Sequence, residues 1–119
     1  MDSLFKKEEF ILLETVATGA GSFVYELHYN KYFNKVKLSN LLRECEELSG
    51  LYALQGKSSR YPDVVRGVTM TFQHVLFLVS CHFMEDDNFI IQNYKSDLSS
   101  EIISDYYVEF RYISKLLIM

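Results

Sequence analysis

The sequence predicts a single α+β domain, residues 1–119, in which one or two helices pack on a strongly curved antiparallel β-sheet or small pseudo-barrel. Three observations predict this fold. The chain carries nine Tyr and nine Phe in 119 residues. Two stretches, 23–30 and 106–113, alternate their side chains with a period of two, as half-buried strands do. One stretch, 38–48, instead repeats apolar residues at helical spacing.

The first element predicted is a β-hairpin over residues 9–33. The apolar run Phe10–Val16 is interrupted by the turn residues 18–22, and the alternating strand 23–30 follows. The two glycines of that turn, Gly19 and Gly21, would bind phosphate only if a helix followed them. A turn between two strands is the interpretation that we adopt.

The clearest helix covers residues 39–49. Its apolar stripe includes Leu38, Leu41 and Leu48, with Ser39 as the predicted N-cap and Gly50 as the predicted end. Cys45 falls on the same stripe, so it is predicted to be a small buried hydrophobic residue and not a reactive thiol.

A loop is predicted at residues 55–62, between Gln55 and the only proline. Its Gly56-Lys57-Ser58 matches the end of a phosphate-binding P-loop. That motif also needs a glycine five positions before Gly56, where this chain has Leu51. The spacing therefore excludes a P-loop.

The second half of the chain is predicted to complete the sheet. Residues 64–84 fit either a buried helix or a long bent strand, and their β-branched content favours the strand. A polar turn at 85–88 and a return strand at 89–94 follow. Residues 96–104 form a short helix or a loop with Asp97 as a cap, and 106–118 form the last strand. The apolar end of that strand needs cover, which predicts self-association, most simply a homodimer.

Composition points to an intracellular, cytoplasmic protein. The charged N-terminus does not resemble a signal peptide, and two cysteines do not make a disulfide framework. The uncharged stretch 67–84 has the length of a short membrane span. Its interspersed Thr, Gln, His and Ser side chains would lack partners in lipid, so no membrane association is expected.

No motif for catalysis, a cofactor or a metal is present. His74, Cys81 and His82 are the only cluster of suitable residues. On a strand, the two histidines would lie roughly 27 Å apart, and neither a strand nor a helix gives the close spacing of a structural zinc site. An enzyme that uses the His74–His82 region is the third hypothesis for function, and the expectation is no cofactor and no metal.

The second hypothesis is a regulator that binds single-stranded RNA. Residues 31–66 hold seven basic and four acidic side chains, although the chain as a whole carries a net charge of −4. Aromatic rings can stack on bases while Lys and Arg contact phosphates. The candidate residues are Lys31, Tyr32, Lys35, Lys37, Lys57 and Arg60. The predicted order of elements is similar in outline to the small RNA-binding pseudo-barrels of the pseudouridine-synthase-associated (PUA-like) type, and this likeness carries over no residue.

The first hypothesis is a small intracellular interaction or regulatory module without catalysis. It depends on the lack of a catalytic motif and on an apolar content of 49%, which is generous for one small domain. Exposure of Tyr29 and Tyr32 distinguishes the first two hypotheses, because a buried ring offers no surface on which a base can stack.

Overall fold

In the computed structural model, which describes residues 2–17, 19–84 and 88–118, every regular element is helical and none of these residues forms a β-strand. The predicted α+β fold, with its curved antiparallel sheet or pseudo-barrel, is therefore wrong. The α-helices are α1 (Asp2–Leu12), which continues as a π-helical segment (Leu13–Ala17), α2 (Phe23–Tyr29), α3 (Lys35–Gln55), α4 (Tyr61–His82), α5 (Tyr94–Asp97) and α6 (Ser100–Ile118).

Four long helices enclose the core. Both α1 and α6 pack against α3 and α4, and the short α2 packs on α4 and on the π-helical segment. The result is an elongated body of 47 × 27 × 22 Å. Stacked rings of Phe72 and Phe110, 4.2 Å apart, join α4 to α6 inside it. The ammonium group of Lys7 ties α1 to α3 through Glu44 and Glu47, each at 2.6 Å.

The predicted first hairpin is a pair of helical segments. In α2, the buried residues are Phe23 and Leu27, which are four residues apart, while Tyr29 is exposed. Such a spacing places side chains on one face of a helix as readily as on one face of a strand. The Ser22 hydroxyl decides the outcome locally, because it accepts the backbone N–H of Tyr25 at 3.1 Å and caps the helix. Thr18 of the predicted turn lies outside the described residues.

The predicted helix at 39–49 is confirmed as the centre of the longer α3, but both of its predicted ends are wrong. Asn34 is the N-cap, because its side-chain oxygen accepts the N–H of Lys37 at 3.2 Å. Gly50 lies inside the helix. The helix ends at Gly56, whose φ of 89° is unfavourable for residues with a side chain.

Residues 64–84 belong to the buried helix α4, except for the last two, which follow its end. They do not form the predicted bent strand. Pro62 lies in the first turn of α4, where its missing N–H costs nothing, and the buried stripe runs through Val64, Val68, Phe72 and Val75. By length and composition, α4 could cross a membrane, with a mean hydropathy of 1.4 over its most apolar stretch. Half of that stretch is buried within the protein, as in the core helix of a globular fold.

The C-terminal part also lacks the predicted strands. Residues 88–93 are a loop followed by α5, and 106–118 belong to α6, which buries Phe110, Ile113 and Leu117 at helical spacing. The Asn93 side chain clamps the loop before α3: it accepts the N–H of Phe33 and donates to its carbonyl, both at 2.8 Å. The predicted polar turn falls mostly on residues 85–87, outside the described part of the chain.

Candidate functional site

A groove of 360 Å³ lies between α2 and α4 and is the first candidate site. Its walls combine aromatic and apolar side chains, such as Tyr25 and Tyr29 on α2 and Met70 on α4, with the hydroxyl-bearing Thr15 and Thr71. The rings of Tyr25 and Tyr29 contact each other at 4.8 Å between centroids. None of the described residues that line the groove is a carboxylate, a lysine or an arginine.

Two histidines face each other across this groove. Nδ1 of His28 lies 3.2 Å from Nε2 of His74, and the rings stack at 5.3 Å. Such a pair shares one proton in its hydrogen bond, because a doubly charged pair would repel. Burial lowers the pKa of His74 below its ordinary value, and the charge of His28 lowers it further. The histidines can therefore join α2 to α4 as long as at least one of them is neutral and accepts the hydrogen bond.

The groove is the centre of a larger apolar surface, which we call the α2–α4 face. It comprises five side chains that are each more than half exposed: Leu13, Val16, Tyr29, Met70 and Phe77. Tyr29 and Met70 line the groove itself, whereas Leu13 and Val16 line a neighbouring cleft together with Glu9, Arg60 and Asp63. A Cβ atom on Gly67 would meet the Val16 side chain at 2.9 Å, so Val16 lies against α4 at this position. Met70 and Phe77 lie about one and three turns beyond Gly67, on the same side of α4.

The two parts of the α2–α4 face differ in charge: the described lining of the groove has no carboxylate, lysine or arginine, whereas Leu13 and Val16 lie beside Glu9, Arg60 and Asp63. At the edge of this face, Arg66 pairs with Asp63 at 2.8 Å, so these two charges neutralise each other. On α6, by contrast, the exposed apolar residues Tyr107 and Val108 lie among exposed charged residues. Those charged residues are Glu101, Asp105, Glu109, Arg111 and Lys115. The α6 surface is thus an ordinary solvated helix face.

The residues predicted to bind RNA are divided between the two ends of α3. Lys31, Tyr32, Lys35 and Lys37 lie at its N-terminal end, whereas Lys57 and Arg60 follow its C-terminal end. A helix of 21 residues is roughly 30 Å long. The structure therefore does not bring the six residues into one patch.

At the N-terminal end, one lysine is already engaged. The ammonium group of Lys37 donates to Glu26 at 2.8 Å and to the carbonyl of Gly21 at 2.6 Å, and this contact lowers the pKa of Glu26. Tyr32 is 42% exposed. Lys31 adopts a left-handed φ of 56°, and its carbonyl accepts the N–H of Gln92 at 2.7 Å.

At the other end, the loop 56–60 joins α3 to α4. Lys57 lies 4.4 Å from the centroid of the Tyr61 ring, and the Arg60 guanidinium lies 4.5 Å from that of Phe5. A helix, and not a strand, precedes Gly56-Lys57-Ser58, which agrees with the exclusion of a P-loop. The loop at Gly19 and Gly21 is followed by α2. The N–H groups of Phe23 and Tyr25 in the first turn of α2 are already bound by Glu14 and Ser22.

The His74–His82 region does not converge on one site. The two histidines lie about 12 Å apart along α4. His82 accepts the N–H of Ile91 at 3.0 Å and stacks on Tyr94, so it holds the following loop. Cys45 and Cys81 are buried and form no disulfide, and burial raises the pKa of the Cys45 thiol to about 12. In the described ranges, no three potential metal ligands come together.

The sequence reasoning singled out Tyr29 and His74 for other reasons, but it missed Leu13, Val16, Met70 and Phe77 of the α2–α4 face and the contact between His28 and His74. His28 and His74 are 46 residues apart, and no local pattern predicts their contact. Met70 and Phe77 repeat at seven residues beside the buried stripe of α4. That spacing would have identified them if residues 64–84 had been assigned to a helix.

Comparison of the chain with protein-family models, curated proteins and solved structures gives no match. The function is accordingly argued from the α2–α4 face and from the rest of the described surface.

Proposed function

We propose that the protein is a small cytoplasmic interaction module without catalytic activity, and that it acts as a homodimer that forms through the α2–α4 face. The observation that carries this proposal is the pair of exposed side chains Tyr29 and Met70 at a groove whose described lining has no carboxylate, lysine or arginine, with the exposed Phe77 two turns further along α4. Aromatic and methionine side chains of this kind are enriched at the centres of protein interfaces, where charged groups are depleted. Cys45 and Cys81, which are buried and form no disulfide, agree with a reducing compartment.

A second copy of the chain is the partner that the charge distribution favours. The protein carries a net charge of −4, which opposes the approach of two copies in general. The described lining of the groove contains no carboxylate, lysine or arginine, so two copies that meet there bring no like charges together at its centre. A two-fold dimer needs one self-complementary surface, and a neutral apolar face is the simplest.

The area available limits the strength of this dimer. Each of the five side chains is already about half covered, so its further burial contributes on the order of 1 kcal/mol. Five side chains on each of two copies then contribute about 10 kcal/mol. The entropy lost on association costs about 4–15 kcal/mol. We therefore expect weak association that depends on protein concentration.

The environments of the histidines support binding and not catalysis. His74 is engaged with His28, and His82 holds the backbone of Ile91. A general acid or base needs a partner that tunes its pKa and a substrate within reach of its proton. The groove supplies neither a carboxylate nor a cationic side chain for that purpose.

Sedimentation equilibrium from low to high micromolar concentration tests the proposal. The wild-type chain should move from its monomer mass of 14.0 kDa towards twice that mass as concentration rises. Met70→Glu should weaken association by about tenfold or more, because the new carboxylate lies opposite its own copy. Val108→Glu on α6 is the matched control, since Val108 is 63% exposed and Met70 is 61% exposed.

A wild-type chain that stays monomeric at high micromolar concentration would contradict the proposal. Equal weakening by Met70→Glu and Val108→Glu would also contradict it, because the effect would then come from net charge alone.

Binding of single-stranded RNA is the second candidate, and one observation favours it. The rings of Tyr29 and Tyr32 are 65% and 42% exposed, so both offer a surface on which a base can stack. Lys31 and Lys35 lie beside them, and neither forms an ion pair with another described residue. In this hypothesis the RNA surface lies at the N-terminal end of α3. Lys57 and Arg60, at the other end of the helix, are too far away to contact the same short RNA.

Fluorescence anisotropy with a labelled oligouridine separates this candidate from the first. If RNA binds, affinity should fall by roughly 0.7 log units per log unit of salt for each phosphate contacted. Tyr32→Ala should cost on the order of 1–3 kcal/mol through lost stacking, whereas Lys57→Ala should leave binding of a short strand unchanged. Association that is insensitive to salt, or equal loss from both variants, would argue against an RNA surface at this end.

A further inference from the structure

A second cavity lies at the opposite end of α4 from Phe77, between α1 and the loop 56–60. Its volume is 390 Å³. The apolar part of its wall comes from Leu4 and Phe5 of α1, and the loop supplies Lys57, Ser58 and Arg60. This volume is within the range of sites that hold small molecules.

Arg60 has hydrogen-bonding capacity that the protein does not use. Its guanidinium lies 4.5 Å from the centroid of the Phe5 ring, which holds its plane. Within the described ranges, the buried Nη1 atom is the only buried side-chain nitrogen or oxygen without a hydrogen-bond partner. A buried donor without a partner costs about 1–3 kcal/mol, so a bound acceptor here would be stabilised.

The hydroxyl groups near Arg60 are directed to another acceptor. Glu8 is 1% exposed, and its Oε2 accepts the hydroxyl of Tyr52 at 2.6 Å and that of Ser58 at 2.5 Å. The hydroxyl of Ser58 also accepts the N–H of Arg60 at 3.0 Å, which fixes the loop. Glu8 thereby has neutral partners of its own, and Arg60 stays available to a ligand.

The charges around the cavity set the charge of the ligand. Among the described residues that line the cavity, Lys57 and Arg60 contribute two positive charges and Glu8 one negative charge, so together they carry one net positive charge. A ligand with a single negative charge balances it, whereas a phosphate dianion would leave an excess beside the buried Glu8. Guanidinium groups bind carboxylates through paired N–H donors.

We propose that this cavity binds a small organic monocarboxylate, with the carboxylate at Arg60 and Lys57 and the apolar part of the ligand against Leu4 and Phe5. The proposal does not depend on the self-association through the α2–α4 face. It assigns one role to the loop cations that the RNA hypothesis leaves far from the other basic residues.

Titration of the ¹⁵N-labelled full chain with sodium hexanoate, followed by amide chemical shifts, tests this site. We expect saturable shifts concentrated at residues 56–60 and at Phe5, with a dissociation constant on the order of millimolar for so small a ligand. Hexan-1-ol has the same apolar chain without the charge, and it should bind at least about tenfold more weakly.

Variants locate the interaction. Arg60→Gln should weaken hexanoate binding by about tenfold or more through loss of the charge-assisted bonds. Lys57→Gln, at an exposed position that does not endanger folding, should weaken it several-fold. Arg66→Gln, in the first part of α4 and outside the cavity lining, is the control for loss of a positive charge, and it should bind hexanoate as the wild-type chain does.

Three outcomes overturn the proposal. The first is that hexanoate produces no saturable shifts, and the second is that hexan-1-ol binds as tightly as hexanoate, which would reduce the site to an apolar cleft. The third is that inorganic phosphate binds at residues 56–60 more tightly than hexanoate, which would contradict the choice of a monocarboxylate.

Discussion

The close approach of α4 to the π-helical segment predicts opposite effects for two glycine substitutions. Gly50 and Gly67 both lie inside long helices, where glycine is about 1 kcal/mol less favourable than alanine. At Gly50, a Cβ atom would meet nothing within 4 Å. Gly50→Ala should therefore stabilise the protein by up to about 1 kcal/mol.

At Gly67, the same substitution meets an occupied space. A Cβ atom would lie 2.4 Å from Oγ1 of Thr15, and Thr15 cannot turn away freely because it is buried and its hydroxyl donates to the Ile11 carbonyl at 2.7 Å. Overpacking of this kind typically costs about 1–3 kcal/mol. After the gain in helix propensity, Gly67→Ala should destabilise the protein by about 1–2 kcal/mol.

Urea denaturation of the two variants beside the wild-type chain measures both effects, with m-values checked for constancy. In thermal unfolding, each kcal/mol should correspond to a shift in Tm of about 4 °C. Thr15→Ala removes the clashing oxygen, so the cost of Gly67→Ala should shrink in that background. If Gly67→Ala stabilises the protein as much as Gly50→Ala does, then α4 does not pack this closely on the π-helical segment.

Other features of the fold yield three further expectations. Because the pKa of His74 is lowered in the folded state, the unfolded chain binds more protons below about pH 6.5, so the free energy of unfolding should fall with acidification. His74→Gln should flatten that fall in urea titrations between about pH 7 and 5, and an unchanged slope would argue against it. Asn93→Ala leaves the N–H and carbonyl of Phe33 unpaired and should cost about 2–4 kcal/mol by urea denaturation, whereas a loss no larger than that of a surface variant would contradict the clamp. Cys45, with its pKa raised to about 12, should react with a thiol reagent only after unfolding, and rapid labelling of the folded chain would refute its burial.

The sequence could predict α3 but not α2, and the difference has a physical cause. In α3 the leucines recur only at helical spacing, so one interpretation fits. In α2 the two core residues, Phe23 and Leu27, are four apart, which satisfies both a helix and a strand. Tyr25 lies between them and Tyr29 follows, and this alternation of aromatic residues favours a strand. In the structure, however, Tyr29 is exposed. Aromatic content therefore misled because it was equated with burial.

In α4 the β-branched residues had the same misleading effect. Valine has a modest preference for strands, but a buried helix that contacts α1, α2 and α6 gains more from packing than it loses in propensity. The helical stripe through Val64, Val68 and Phe72 was visible in the sequence. Contacts of α4 with other helices, which no local sequence pattern reports, favour the helix over the alternating strand.

The candidate sites depend on contacts between distant residues, and this limits prediction from sequence. Lys37 is predicted to contact phosphate, but its ammonium group forms an ion pair with Glu26, which lies eleven residues earlier in the chain. Lys57 and Arg60 were grouped with Lys31 on charge alone, and the length of α3 separates them. The exposure of Tyr29 and Tyr32, posed as the test between two functions, favours neither by itself, since an exposed ring serves a protein interface as well as a base.

Self-association through the α2–α4 face is the central claim, and a dilution series of ¹H–¹⁵N spectra tests it most directly. As concentration rises, amide shifts should change at Leu13–Ala17, along α2 and at positions 66–77 of α4, while the amides of α6 stay constant. Concentration-dependent shifts confined to α6 or to residues 31–37, or no shifts up to high micromolar concentration, would contradict the claim.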